Sequence, residues 1–240
     1  MTSSKTPEIK LSLSQGGSWG TGKDPDIITV LTDTANLLVR HFESCPSPIT
    51  VYQSAHLPAP HNCPRAIFGS AHIRLTAQDC RWAQYAYQFS HELFHLLTNH
   101  DRLKGTPRST YQVDEILAET ASLFALRKLH DKWRSSAPHR AWNSYAKHFT
   151  DYLVITETPF APVPDRPIFE DPIALPVERI KNGHVALRVQ KLLQAKPHYW
   201  AATQYLPAPH ADVRTFLNEW IQKSPSKEAA EAISAKLLDA

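Results

Sequence analysis

The sequence predicts an α+β chain that is mostly helical. Short stretches of alternating apolar residues all fall before residue 76. Beyond that point apolar residues recur at spacings of three and four, the period of amphipathic helices. Clusters of Pro and Gly punctuate the segments. With 240 residues, 42% of them hydrophobic and 20% charged, the chain is long enough to bury a substantial core.

The elements follow in order. Residues 7–14, with Ile9, Leu11 and Leu13 alternating, read as a first strand. Four of the seven glycines sit in the stretch Gly16 to Gly22, which reads as a flexible loop or turn. No Gly-Lys-Ser/Thr follows it, so it is not a phosphate loop. Asp24-Pro25 opens a helix, with Asp as N-cap and Pro at the first helical position, and Ile27, Leu31, Leu38 and Phe42 share one face. That helix ends before Cys45-Pro46. Ile49–Gln53 is a short strand, 56–65 a Pro-rich loop, and 66–69 with 71–75 a strand or hairpin edge.

Thr76 to Asp79 resembles a capping box that starts a long helix reaching about Asn99. Trp82, Tyr85, Phe89, Leu93 and Leu96 form its apolar stripe. Further helices are expected over 112–132, 139–153, 177–195, 197–206, 210–222 and 225–239. Residues 158–176 hold six prolines and are expected to be irregular. The expected organisation is an α/β N-terminal part, 1–100, and a helical C-terminal part, 101–240.

Composition removes several classes of function. A net charge of +3 is too small to argue for nucleic acid or an anionic membrane surface as partner. No run of eighteen apolar residues exists, so no membrane span is expected. Met1 to Lys10 lacks the apolar region of a signal peptide. Cys45, Cys63 and Cys80 form neither an even disulfide framework nor a C-x-x-C pair, although Cys45 with Cys63 would make one bridge. They fit a reducing compartment, and the expected location is cytoplasmic.

The chemistry concentrates in Ser90-His91-Glu92-Leu93-Phe94-His95, an H-E-x-x-H motif inside the long helix. Residues four apart on a helix are rotated by about 40°, so His91 and His95 project from one face and can grip one ion. Two imidazoles with room for a carboxylate and a water point to zinc. Glu92 borders the same face, where it can take a proton from a water and return it to a leaving amine. The chain holds thirteen histidines, so a coincidental pattern is the competing reading. The mid-helix position and the aromatic turn Tyr85 to Phe89 argue against coincidence.

His100 lies five residues past His95, about 140° off the ligand face, and does not complete the set. The better third ligand is in Asp114-Glu115-Ile-Leu-Ala-Glu119, twenty residues after His95. If the next helix returns antiparallel, Glu115 can bind the metal. Glu119, or Asp114, can then accept a hydrogen bond from a ligating imidazole and fix its tautomer. Asp114 as the ligand itself remains open.

H-E-x-x-H, a Glu about twenty residues later on a second helix, and an acid four residues beyond resemble the thermolysin-like clan of zinc peptidases, the gluzincins. The resemblance spans residues 66–130 and implies a zincin-like fold: a small twisted sheet, an active-site helix and a helical C-terminal half. It implies His91, His95 and Glu115 as zinc ligands, Glu92 as general base and Glu119 as supporting acid. It further implies a peptide or protein substrate paired along a rim strand, here Gly69 to Leu75. A Tyr or His from the C-terminal half is expected to hold the oxyanion, with Tyr152, His184, His198 and Tyr199 as candidates. A weaker resemblance, through Ala121 to Ala125, is to small zinc peptidases that act on repressors. The competing functional readings are a zinc or peptide-binding protein that does not cut, and a helical interaction protein without metal.

Overall fold

Residues 8–15, 17–54, 64–67, 71–98, 108–157 and 175–238 are described by this computed structural model. Its sheet is built from short strands in the N-terminal third. β1 (Leu11–Leu13) pairs in parallel with β2 (Ile49–Gln53), and β2 pairs in parallel with β4 (His72–Leu75). β3 (Arg65–Ile67) closes the order β1-β2-β4-β3, antiparallel to β4 with Ala66 opposite Ile73. Alternation explains the two faces: Ile49, Val51 and Gln53 of β2 are buried, while Thr50 and Tyr52 between them are half-exposed.

Helix α1 (Asp24–Val39) connects β1 to β2, as a parallel pair requires. Ile27, Val30, Leu31 and Leu38 carry its buried face. Its N-cap is Lys23, and Asp24 and Pro25 occupy the first turn instead, where both suit the free amides and the dipole. Helix α2 (Trp82–Leu97) is almost wholly buried, and α3 (Arg108–Ser136) extends the expected 112–132 helix at both ends. α4 (Ala146–Glu157), α5 (Leu175–Ala195), α6 (Val213–Lys223) and α7 (Lys227–Leu238) complete the helices. The 139–153 and 197–206 predictions need revision. Arg140–Tyr145 and Pro197–Tyr205 are 3-10 segments, the first running straight into α4. One buried apolar cluster joins the sheet, α1 and α2 to the later helices, through residues such as Val51, Phe94, Phe124 and Trp200.

One expectation at the start of α2 is corrected. The Thr76–Asp79 stretch does not cap the helix, whose N-cap is Arg81 with no side-chain bond. Asp79 Oδ1 instead accepts from the Thr21 amide (2.9 Å) and hydroxyl (3.1 Å). The glycine-containing turn is therefore fastened to the loop before α2. Gly20 has a φ of +67°, and a Cβ at that position would collide with the Asp79 carboxylate. The end of β4 is tied to α2 by Gln88, whose Oε1 accepts from the Thr76 (2.9 Å) and Ala77 (3.1 Å) amides. Both ties fix the axial position of the helix that carries H-E-x-x-H.

The rim-strand expectation is also corrected. β4 is paired on both sides, so among the described residues the edge strands of the sheet are β1 and β3. Most of the 56–65 loop, residues 158–174, Cys63 and His100 lie outside the described residues. Leu175 and Pro176, expected to be irregular, form the first turn of α5, where a proline's missing N–H costs nothing. Cys45 is a free thiol. No helix among the described residues is long and apolar enough to cross a membrane.

α1 and α3 meet at a polar contact inside the core. Asp33 is 7% exposed; Trp133 Nε1–H donates to its Oδ2 (2.5 Å) and the Lys132 ammonium pairs with its Oδ1. Lys132 is 40% exposed, so the ion pair itself adds little. The indole bond matters more, because Trp133 is fully buried and its N–H has no water to turn to. Asp33→Ala is expected to cost about 1–3 kcal/mol in urea unfolding, with an unchanged m value. A change below about 0.5 kcal/mol would show that the bond is dispensable.

Candidate metal centre

The site forms where α2 and α3 run antiparallel. His95, near the end of α2, meets Asp114 near the start of α3, and Tyr87, two turns earlier on α2, meets Glu119, further along α3. Ser122, next on that path, donates to the Tyr87 carbonyl (3.0 Å). Charged side chains along one seam thus face one another in reverse order.

His91, His95 and Glu115 come together as a group able to hold a metal ion, their ligand atoms all within 4.8 Å of one another. His91 Nε2 stands 3.3 Å from Glu115 Oε2, and His95 Nε2 stands 3.3 Å from Glu115 Oε1. Donors at about 2.0–2.1 Å from a tetrahedral ion lie about 3.3–3.4 Å apart, so each imidazole–carboxylate distance is compatible with a shared ion. The donor set, two imidazoles and a carboxylate, fits a borderline-soft cation such as zinc.

Neighbouring carboxylates orient the two rings. His95 Nδ1–H donates to Asp114 Oδ2 at 2.7 Å, which leaves Nε2 to face Glu115. His91 Nδ1 lies 3.9 Å from Glu119 Oε2. Glu119 is itself held by the Tyr87 hydroxyl, 2.6 Å from each of its oxygens. Asp114 therefore supports a ring rather than joining the trio, and Glu119 stands behind the other ring.

Glu92 is buried and reaches the sheet. Its Oε2 accepts from the Ala66 amide of β3 at 2.5 Å. The Ala66 N–H thus points off the open edge, away from β4. Spacing in the sequence gave no sign of this bond, since it needs the sheet order.

Of the remaining candidates, His198 and Tyr199 are turned toward α7. The Tyr199 hydroxyl donates to Glu228 and accepts from Lys196 (2.7 Å). His198 is exposed, its ring edge-on to Tyr199. Trp200 explains both positions: it is fully buried against Phe94 and Phe124, which turns Tyr199 toward α7. His184 sits half-buried on α5, which meets the start of α3 through the Gln112–Asn182 bond (2.9 Å), and it is not part of the trio. Tyr152 packs edge-on against Tyr87.

Tyr111 is the residue that sequence reading missed. It stands where the charges of Glu115, Glu92 and Asp114 act on it. Partial burial, with those carboxylates, raises its pKa and keeps the phenol protonated. The available signal was its position four residues before Glu115, on the same helical face.

In the metal-free chain, protons hold the trio together. Burial disfavours charge on His91 and His95, yet both pKa values are raised. Glu115 outweighs burial at His91, and Asp114 with Glu115 does so at His95. Burial likewise opposes charge on Glu115, but the two imidazoles hold its pKa well below the usual carboxylate value. The family-model, curated-protein and solved-structure comparisons find no match to this chain.

The signs fix a pH dependence. The histidine contribution to metal-free stability is full below the unfolded value of 6.5 and is lost as pH rises through the raised folded values. The Glu115 contribution is full above 4.5 and is lost as pH falls through the depressed folded value. A metal must displace the imidazole protons. Uptake near pH 7 is therefore expected to release protons, read by calorimetry in two buffers of different ionisation enthalpy. Affinity should weaken as pH falls, and Asp114→Asn should weaken it about 10–100-fold. Uptake without proton release would contradict the pairing of the trio.

Proposed function

We propose that the protein is a zinc-dependent metallopeptidase. The observation that carries this reading is the spacing of His91, His95 and Glu115, with Glu92 directly beside them on the sheet side. The sequence pattern that resembles thermolysin-like zinc peptidases supports it.

His91, His95 and Glu115 would hold the ion. Zinc held there supplies Lewis acidity that polarises a carbonyl and lowers the pKa of water toward neutrality. The chain's own residues do the rest. Glu92 accepts the proton from the attacking water as its oxygen bonds to the carbonyl carbon. The C–N bond then breaks, and Glu92 returns that proton to the leaving amine. Asp114 and Glu119 hold the rings while charge shifts in the trio. The substrate is proposed to be an extended peptide lying along β3, whose edge strand ends beside Glu92.

A second reading, a protein on the same scaffold that holds metal and binds peptide without cutting, draws on the Glu92–Ala66 bond, since that bond engages one oxygen of the base. The test separates the two. Protein purified without added metal is expected to carry about one zinc per chain by mass spectrometry, and His95→Ala to carry none. Glu92→Gln should retain the zinc and lose about 10²–10⁴-fold in hydrolysis of a peptide library. Absent zinc would sink both readings. Zinc without cleavage by the wild type would favour the second, and full activity in Glu92→Gln would remove the base from its role.

A further inference from the structure

A cleft of about 470 Å³ opens between α3, α4 and α5. That volume lies within the range of small-molecule sites. Its first residue on α3, Arg127, stands about 18 Å along the helix axis from Glu115, so the cleft is separate from the trio. Its lining includes the buried Leu153 and Gln190. The walls are held in place. Gln190 Nε2–H donates to Gln194 Oε1 (3.3 Å), one turn on along α5. His130 Nδ1–H donates to the Ala146 carbonyl (3.0 Å), which ties α3 to α4. Arg127 Nη2–H donates to Glu157 Oε1 (2.5 Å) near the end of α4.

The charges of this cleft are not matched within it. Arg127 and Asp131 are one turn apart on α3, the spacing at which such a pair ordinarily bonds. Arg127 turns to Glu157 instead and leaves Asp131 without an ion pair among the described residues. Lys191 of α5 has none either, so an ammonium and a carboxylate line one cleft beyond ion-pair distance of each other. The Arg127 guanidinium, fixed through Nη2, keeps Nη1 without a partner among the described residues. We propose that this cleft binds a free α-amino acid, its carboxylate held by Arg127 and Lys191 and its ammonium by Asp131. A plain anion would meet the uncovered Asp131, and a plain cation would meet Arg127 and Lys191; a zwitterion meets neither conflict. Its two charged groups are adjacent, as are a donor and an acceptor one helical turn apart. Glu157 presets the guanidinium, so binding orders little that is not already ordered. Leu153 and the Gln194 amide remain for the ligand's own side chain. The proposal does not rest on the peptidase reading.

The test screens the full-length protein against each of the common amino acids at millimolar concentration, by saturation-transfer NMR. The best binder is then measured by calorimetry beside two derivatives. Its N-acetyl form lacks the ammonium, and its amide lacks the carboxylate. The free amino acid is expected to bind, and both derivatives to bind about tenfold more weakly or worse. Asp131 and Lys191 are exposed, so Asp131→Asn and Lys191→Gln should keep the wild-type unfolding midpoint. Each is expected to weaken the free amino acid about tenfold. Asp131→Asn should leave the N-acetyl form, and Lys191→Gln the amide, within about twofold of their wild-type affinities, since the deleted partner faces a group that each derivative lacks. Glu115→Ala should not change amino-acid binding. No signal from any amino acid would overturn the proposal and leave the cleft a solvated groove. Derivatives that bind as well as their parent would overturn the pairing of both ends. Binding that survives both cleft substitutions but is lost in Glu115→Ala would assign it to the metal centre and overturn the proposal as well.

Discussion

Asp114 is 2% exposed and Glu119 is 6% exposed, and taking two carboxylates out of water is expensive unless each is bonded. The seam between α2 and α3 supplies those bonds. His95 covers Asp114, Tyr87 covers Glu119, and His91 reaches toward Glu119 from the other side. The register of the two helices follows, since a slip of one turn would leave both acids unpaired in the core. Glu115 is a quarter exposed and is the acid of the seam whose oxygens both face imidazole Nε2 atoms. Burial thus orders the seam, and the same geometry leaves ligand atoms of His91, His95 and Glu115 within 4.8 Å of one another.

The sheet contributes differently. Its core strands anchor α2 through Gln88, and Asp79 locks the preceding loop to Thr21. Among the described residues of the sheet, the antiparallel edge strand β3 meets the chemistry through one backbone amide. An amide on an open strand edge has an unspent donor, which either water, another strand or a side chain must satisfy. Here Glu92 takes it. The same bond thereby ties the position of the base to the position of the edge.

The seam was legible in the sequence because helical periodicity is a local rule. Four-residue spacing puts His91 with His95 and Glu115 with Glu119, and a returning helix brings the pairs together. The oxyanion assignments were not legible in the same way. They rested on a resemblance and on a long-range placement of 184–199 that periodicity does not supply. Trp200 decides that placement by burying itself against Phe94 and Phe124, a tertiary preference with no trace in the spacing of the histidines. The rim strand failed for a related reason. Alternation in 71–75 identifies a strand, but which strand is outermost depends on the chain order within the sheet, which periodicity does not supply.

Tyr111 shows how a local rule was available and passed over. It stands at the same helical spacing before Glu115 as Glu119 stands after it, yet an aromatic residue in an amphipathic helix reads as core. What separates it from core is exposure: a buried Tyr finds its bond inside, as Tyr87 does, whereas Tyr111 is 43% exposed, where the charges of Glu115, Glu92 and Asp114 act on it. The two phenols of the seam differ by burial: the buried one fixes Glu119 behind the His91 ring, and the other stays open to solvent.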